Sequence, residues 1–134
     1  MIDPIAIGQT KDYISEIEKD SKNPTIWIVG AIDSMEKSRI LASGMVVSVD
    51  DEGKTIVKEK DFEVSNDFKI VKYGLKGWKN FGDVEFKTVK EKLFDRDIDA
   101  IPEELLKIIP LEIIHELARE IWRENQASED LEKN

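Results

Sequence analysis

The sequence predicts a single α+β domain, in which a small antiparallel sheet with a β-hairpin packs against two or three helices. Three observations carry that prediction. Thr25-Ile26-Trp27-Ile28-Val29-Gly30-Ala31-Ile32 is rich in β-branched and aromatic residues and follows Asn23-Pro24, which reads as a strand entered from a turn. Apolar runs over 45–49 and 55–60 flank the acidic, glycine-bearing turn Asp50-Asp51-Glu52-Gly53-Lys54, the pattern of a hairpin. Leu111, Ile114, Leu117, Ala118, Ile121 and Trp122 recur at three- and four-residue steps, with Ile113 widening the stripe, as in an amphipathic C-terminal helix.

Taken in order, the chain opens with Ile2, Ile5 and Ile7 and then a charged stretch over 11–22. That stretch is too polar and short for a stable element, so a loop with one or two helical turns is expected. The strand over 25–32 is apolar on both faces, as in a covered strand. Asp33 or Ser34 can cap a helix over 34–42 that Gly44 stops. After the hairpin, Ser65 or Asn66 can cap a helix carrying Phe68, Val71 and Leu75, with Ile70 and Tyr73 broadening its face. Gly74-Leu75-Lys76-Gly77-Trp78-Lys79-Asn80-Phe81-Gly82-Asp83 then reads as a sharp corner folded back on its own aromatic residues. Val84-Glu85-Phe86 is a short extended piece, and 87–99 is charged and ambiguous, anchored by Val89, Leu93 and Phe94. Pro102 suits a helix start, with Glu103 and Glu104 near the positive end of the dipole. The domain is expected to span 1–126, with a polar tail over 127–134 and the expected sheet built from 25–32 and 45–60.

Length and composition bound the function. A chain of 134 residues fits one domain with a real core. A formal charge of −9 opposes contact with nucleic acid or an anionic membrane. There is no cysteine, which removes thiol chemistry and zinc–thiolate sites. The start Met1-Ile2-Asp3-Pro4 has no signal-peptide pattern, and no apolar run is long enough for a membrane span. A soluble, intracellular protein is expected.

Motifs name no chemistry. His115-Glu116 begins like a zinc-protease helix, but position 119 is arginine and there is one histidine in the chain. Asp95-Arg96-Asp97-Ile98-Asp99 begins like a calcium loop, but positions 100 and 106 are alanine and leucine. The glycines at 74, 77 and 82 form neither a dinucleotide fingerprint nor a phosphate loop. No catalytic residue, cofactor or metal is expected. Tryptophan is enriched at binding hot spots, so Trp27, Trp78 and Trp122 can serve a binding surface. Packing in the core is the plainer reading for each, with Trp122, on the edge of its stripe, the best exception.

One stretch has a further reading. An apolar helix leads into Gly74-Leu75, Gly77-Trp78 and Asn80-Phe81, followed by Asp83, Val84 and Phe86, Ile101-Pro102, the helix Leu111–Trp122 and the ending Glu132-Lys133-Asn134. With the early Pro24-Thr25-Ile26-Trp27-Ile28, this order resembles small morphogenesis proteins of tailed bacteriophages and prophages; residues 33–65 stand outside it. The resemblance implies a non-enzymatic role in tail assembly, most often that of a tail assembly chaperone. Such a protein shields the apolar helices of a tape-measure protein until tail-tube subunits surround them. The alternative is a structural virion component, such as a minor tail, head–tail or decoration protein. The implied partners are tape-measure or tail-tube proteins, in the host cytoplasm during assembly or in the virion, and a homo-oligomer is compatible with either role. The residues expected to meet a partner are Trp78, Phe81, Leu111, Ile114, Ile121 and Trp122, since exposed apolar stripes need covering.

Overall fold

The computed structural model describes residues 1–2, 4–43, 45–49, 51–59, 66–93 and 95–124. Its elements, in order, are β1 (Thr10–Tyr13), a 3-10 turn (Glu16–Glu18), β2 (Ile26–Gly30), α1 (Ser34–Ser43), β3 (Met45–Val49), β4 (Thr55–Glu59), α2 (Asn66–Gly74), β5 (Leu75–Lys79), β6 (Val89–Leu93), β7 (Arg96–Ala100), α3 (Glu103–Leu106) and α4 (Leu111–Glu124). The fold is α+β, with small antiparallel sheets and, among the described residues, four α-helices. The tail over 127–134 and the proposed stop at Gly44 lie outside the described residues.

β2 is the centre of a three-stranded sheet ordered β1-β2-β5, with both neighbours antiparallel. This corrects the expected sheet. The hairpin β3–β4 forms with Met45 opposite Glu59 and Val49 opposite Thr55, but it remains a two-stranded sheet of its own. The stretch 11–22 supplies a strand where a loop was expected, because Thr10-Lys11-Asp12-Tyr13 pairs along β2 from Gly30 to Trp27. Residues 75–79 are likewise a strand where a corner was expected. The turn comes later, at Asn80 (φ 61°) and Gly82 (φ 54°). Residues 87–99 also hold a hairpin, β6–β7, in which Lys90 faces Asp99 and their side chains pair at 2.7 Å. Val84-Glu85-Phe86 joins no ladder.

The helices cover one face of the central sheet. Trp27 and Val29 of β2 are buried against that layer, while Ile26 and Ile28 on the opposite face are half-exposed, so β2 is covered on one side rather than on both. α2 brings Ile70, Val71 and Tyr73, and α4 brings Ile113, Ile114, Leu117, Ala118 and Ile121, none more than 8% exposed. Burying one such side chain stabilises a fold by about 1.5–3 kcal/mol, which makes α4 the chief source of core area. Gly74 ends α2 where it crosses α4: a Cβ there would collide with Ile121 Cγ2. Gly77 has the same logic more mildly, since a Cβ would stand 3.2 Å from Ile28 Cδ1. Neither glycine has a positive φ; close approach is what they provide. The β6–β7 hairpin docks on α2, where Lys72 Nζ (2.7 Å) and the Tyr73 hydroxyl (3.1 Å) both donate to Glu91 Oε1. The Ile101 N–H also donates to the Lys72 carbonyl at 3.1 Å. α3 is a single turn with Pro102 at its N-cap position.

Candidate functional site

Three places on the molecule could carry function: the segment around Trp78, a charged cleft beside α1, and the exposed apolar surface. The first turns out to be architecture. Trp78 lies on β5 opposite Trp27, with ring centroids 6.0 Å apart and nearly perpendicular. Phe81 packs at 5.0 Å from Trp27 and 5.2 Å from Trp78, and Phe86 at 4.9 Å from Trp78. Edge-to-face pairs of this kind add about 0.5–1.5 kcal/mol beyond burial. The Trp78 indole donates to the Val84 carbonyl at 2.8 Å and so pins the following loop.

Asn80 joins the two halves of this architecture. Its amide donates to the carbonyls of Asn23 (2.8 Å) and Pro24 (3.2 Å), and its own carbonyl accepts from Thr25 Oγ1 at 2.8 Å. The Pro-Thr strand entry and the Trp-x-Asn-Phe turn are therefore one unit, although they stand 55 residues apart. Asn80 also holds φ 61°, which asparagine tolerates better than most residues. Asn80→Ala is therefore expected to cost more than Asn80→Gly. Both lose the amide bonds and alanine alone pays for the left-handed backbone, a gap of about 1 kcal/mol in urea unfolding.

The structure places the remaining sequence-predicted residues plainly. Trp78 is 8% exposed, and Ile114 and Ile121 are fully buried; in the folded monomer these three face the core and present nothing to a partner. Phe81 and Trp122 are partly buried against the core, and Leu111 is 53% exposed in the first turn of α4. Trp122 lies under Lys37, whose ammonium is 3.8 Å from the ring centroid, and burial lowers the Lys37 pKa. His115 pairs through Nδ1 with Asp67 Oδ2 at 2.5 Å, a surface link between α4 and α2.

The charged cleft has a volume of about 460 Å³ and gathers Asp33, Glu36, Lys76, Lys90, Asp97 and Asp99. The physical causes of its shifted groups are structural. Asp33 Oδ1 accepts the Glu36 N–H at 2.7 Å and the Asp33 carbonyl accepts the Lys37 N–H, which makes Asp33 the N-cap of α1. Burial would raise the Asp33 pKa, but the Glu36 N–H, the Glu36 carboxyl and Arg96 outweigh it and hold it below the ordinary carboxylate value. Glu36 is raised, by burial first and then by the Asp33 charge. Lys76 Nζ donates to the Tyr73 carbonyl at 2.7 Å, Lys90 pairs with Asp99, and Arg96 lies 3.5 Å from Asp33. The Arg96–Asp33 pair ties the β6–β7 hairpin to the cap of α1. Among the described residues no group of three or more His, Asp or Glu side chains is placed to hold a metal ion, and no helix is long and apolar enough to cross a membrane.

What sequence reasoning missed lies on α1 and the hairpin after it. α1 exposes Met35 at 59% and Leu41 at 47%. Among the described residues the hairpin β3–β4, with six apolar residues among its ten strand positions, joins neither other sheet and lies beside α1. The signal was present in Met45-Val46-Val47 and Ile56-Val57, but nothing in the sequence says that these strands stay out of the main sheet. No family model matches the chain, and neither a curated protein nor a solved structure matches it significantly.

Proposed function

We propose that the protein acts without catalysis, through protein–protein contacts in the assembly of a tailed-phage particle, in the manner of a tail assembly chaperone. The observation that carries this reading is the hairpin over 45–59. An isolated two-stranded hairpin is marginal in water, and this one, with six apolar residues among its ten strand positions, pairs with no third strand among the described residues. Such a device gains most when another protein covers it, by strand addition or by packing on its surface. The likeness of residues 74–86 to phage morphogenesis proteins supplies the biological setting, and the tape-measure protein is the partner it points to.

Co-expression with the tape-measure protein of the same genome tests this. The wild-type chain should keep that partner soluble, and a variant with 45–59 replaced by a short Gly-Ser linker should not, while circular dichroism shows its body folded. Equal performance of the two would remove the hairpin from the mechanism. The exposed acidic tip at Asp51 and Glu52 favours a second role as a retained tail or decoration component. Mass spectrometry of purified particles separates the two, since a chaperone is absent from them and a component is stoichiometric.

A further inference from the structure

β1 is held on the central sheet by its backbone and by charge, with Tyr13 as its one side chain against the core. Thr10, Lys11 and Asp12 are exposed, whereas β5, on the other edge of the same sheet, buries Leu75, Gly77 and Trp78. The residues ahead of β1 add little, since Ile2 and Ile7 are 78% and 67% exposed. The strand is fastened behind, at the fully buried Ser15, which donates to Glu116 Oε1 at 3.2 Å. A short edge strand with few apolar contacts and exposed backbone hydrogen bonds belongs to the parts of a protein that open first. Its opening strips the β2 backbone from Trp27 to Gly30 of the partners it has in the closed sheet. An edge so uncovered is a template for another extended chain.

The contacts of β1 define the chain that fits there. Alternate residues of a strand share a face, and Lys11 and Tyr13 lie opposite Val29 and Trp27, on the side of the sheet that carries α4. Lys11 Nζ meets Glu120 Oε1 at 2.5 Å. Burial first, then Glu116 and Glu120, push the Tyr13 phenol up to about 12. Two carboxylates one helical turn apart thus engage two residues on one face of the strand, a cation and then an aromatic hydroxyl. We propose that β1 is a built-in pseudo-ligand on a strand-addition site formed by the β2 edge with Glu116 and Glu120, and that an extended segment of a partner protein, carrying a lysine or arginine two positions before a tyrosine, displaces it. Charge selects such a segment. An acidic or neutral chain leaves Glu120, whose side chain is only 13% exposed, without a counter-charge. The site belongs to a different sheet from the β3–β4 hairpin.

A synthetic peptide with the sequence of residues 8–16, added to the full chain, tests the proposal. The chain has no cysteine, so Asp12→Cys with Ile28→Cys, a directly opposed pair, staples β1 to β2 when oxidised and frees it when reduced. The peptide should bind the reduced variant as it binds wild type and fail to bind the oxidised one. Lys11→Glu in the chain weakens β1 alone, so the peptide should bind that variant about tenfold more tightly as the open population rises. A peptide with the same Lys11→Glu change should bind neither protein. In hydrogen exchange, the amides of β1 and those of β2 that point to it should exchange well ahead of the β2 amides bonded to β5. Equal binding to the oxidised staple means that the peptide adds elsewhere and overturns the proposal. So does the absence of binding to wild type, Lys11→Glu and the reduced staple alike, or a β1 that exchanges only with the whole sheet.

Discussion

A single methyl group added at residue 74 is expected to destabilise this protein by about 1–3 kcal/mol, the usual cost of overpacking a core. On propensity alone the change should help, since alanine is better than glycine in a helix by up to about 1 kcal/mol. The crossing of α2 and α4 reverses that sign. The new Cβ would collide with Ile121 Cγ2 and stand 3.0 Å from Cδ1, and Ile121 is fully buried with a β-branched side chain that has little freedom to turn away. The helices must separate, and the contacts of Ile114 and Leu117 loosen with them. Ile121→Ala should cost about 2–5 kcal/mol through the cavity it leaves. Combining the two puts the new methyl into that cavity, so the double variant should lose less than the sum of the singles. A coupling of about 0.5–3 kcal/mol is expected for residues in direct contact. Urea midpoints of the four proteins decide it; strict additivity would show that the two sites do not share a packing constraint.

The second large effect is expected at Glu116. Its Oε1 accepts from Ser15 Oγ at 3.2 Å and from the Glu16 N–H at 3.0 Å, and Ser15 is fully buried. One turn on, Glu120 pairs with Lys11 at 2.5 Å. These two carboxylates hold the segment from β1 to the 3-10 turn along α4. A hydrogen bond to a charged acceptor contributes about 1.5–3 kcal/mol, and a stranded buried hydroxyl costs more. Against that, Glu116 Oε2 is buried without a well-formed hydrogen bond among the described residues. Glu116→Ala should therefore destabilise by about 2–3 kcal/mol, whereas Glu116→Gln keeps an acceptor and should fall within about 1 kcal/mol of wild type.

The same charge has a signature in pH. Burial, then the Glu116 and Glu120 carboxylates, push the Tyr13 phenol from its ordinary value of 10.0 up to about 12. A raised folded pKa means that the native state holds the proton more tightly than the unfolded chain. The associated stability is complete below pH 10.0 and is lost as pH rises through about 12. Tyr73 is shifted the same way, by burial and then by Glu91. Both phenols of the native protein should thus stay protonated where free tyrosine ionises, and their ultraviolet phenolate signal should rise together with alkaline unfolding. Glu116→Gln should bring the Tyr13 step down toward its ordinary value and leave Tyr73 in place. A Tyr13 titration unchanged by that substitution would separate the phenol from the carboxylate.

Several elements were legible because their own residues suffice. β2, α1, the β3–β4 hairpin, α2 and α4 stand within a few residues of where periodicity, caps and turns put them, and Asp33 is the cap of α1 that the pattern allows. The strands that escaped are those whose residues argue against them. Thr10-Lys11-Asp12-Tyr13 is polar and becomes a strand because β2 offers an edge and Glu116 and Glu120 anchor the chain beside it. Leu75-Lys76-Gly77-Trp78-Lys79 looks like a turn for its glycines, but Gly77 is there to let Ile28 approach across the sheet. Val89–Leu93 and Arg96–Ala100 carry so much charge that no alternation shows, and their pairing rests partly on Lys90 with Asp99 and on docking to Tyr73.

By itself the sequence determined the fold class, the acidic exterior and the helix that would supply the largest single share of the core. It could do so because hydrophobic periodicity and caps are local properties of a chain. Which surfaces those elements keep for themselves was decided in three dimensions. The stripe of α4, with Ile114 and Ile121, is spent on α2 and β2, and Trp78 is spent on its own turn. α1 carries both an apolar set and a charged set; in the folded chain Glu36, Lys37 and Arg39 are half-buried, Lys37 over the Trp122 ring, while Met35 and Leu41 are left exposed. A helix can present either face with the same local sequence; the neighbours that satisfy its charges choose which one remains outside.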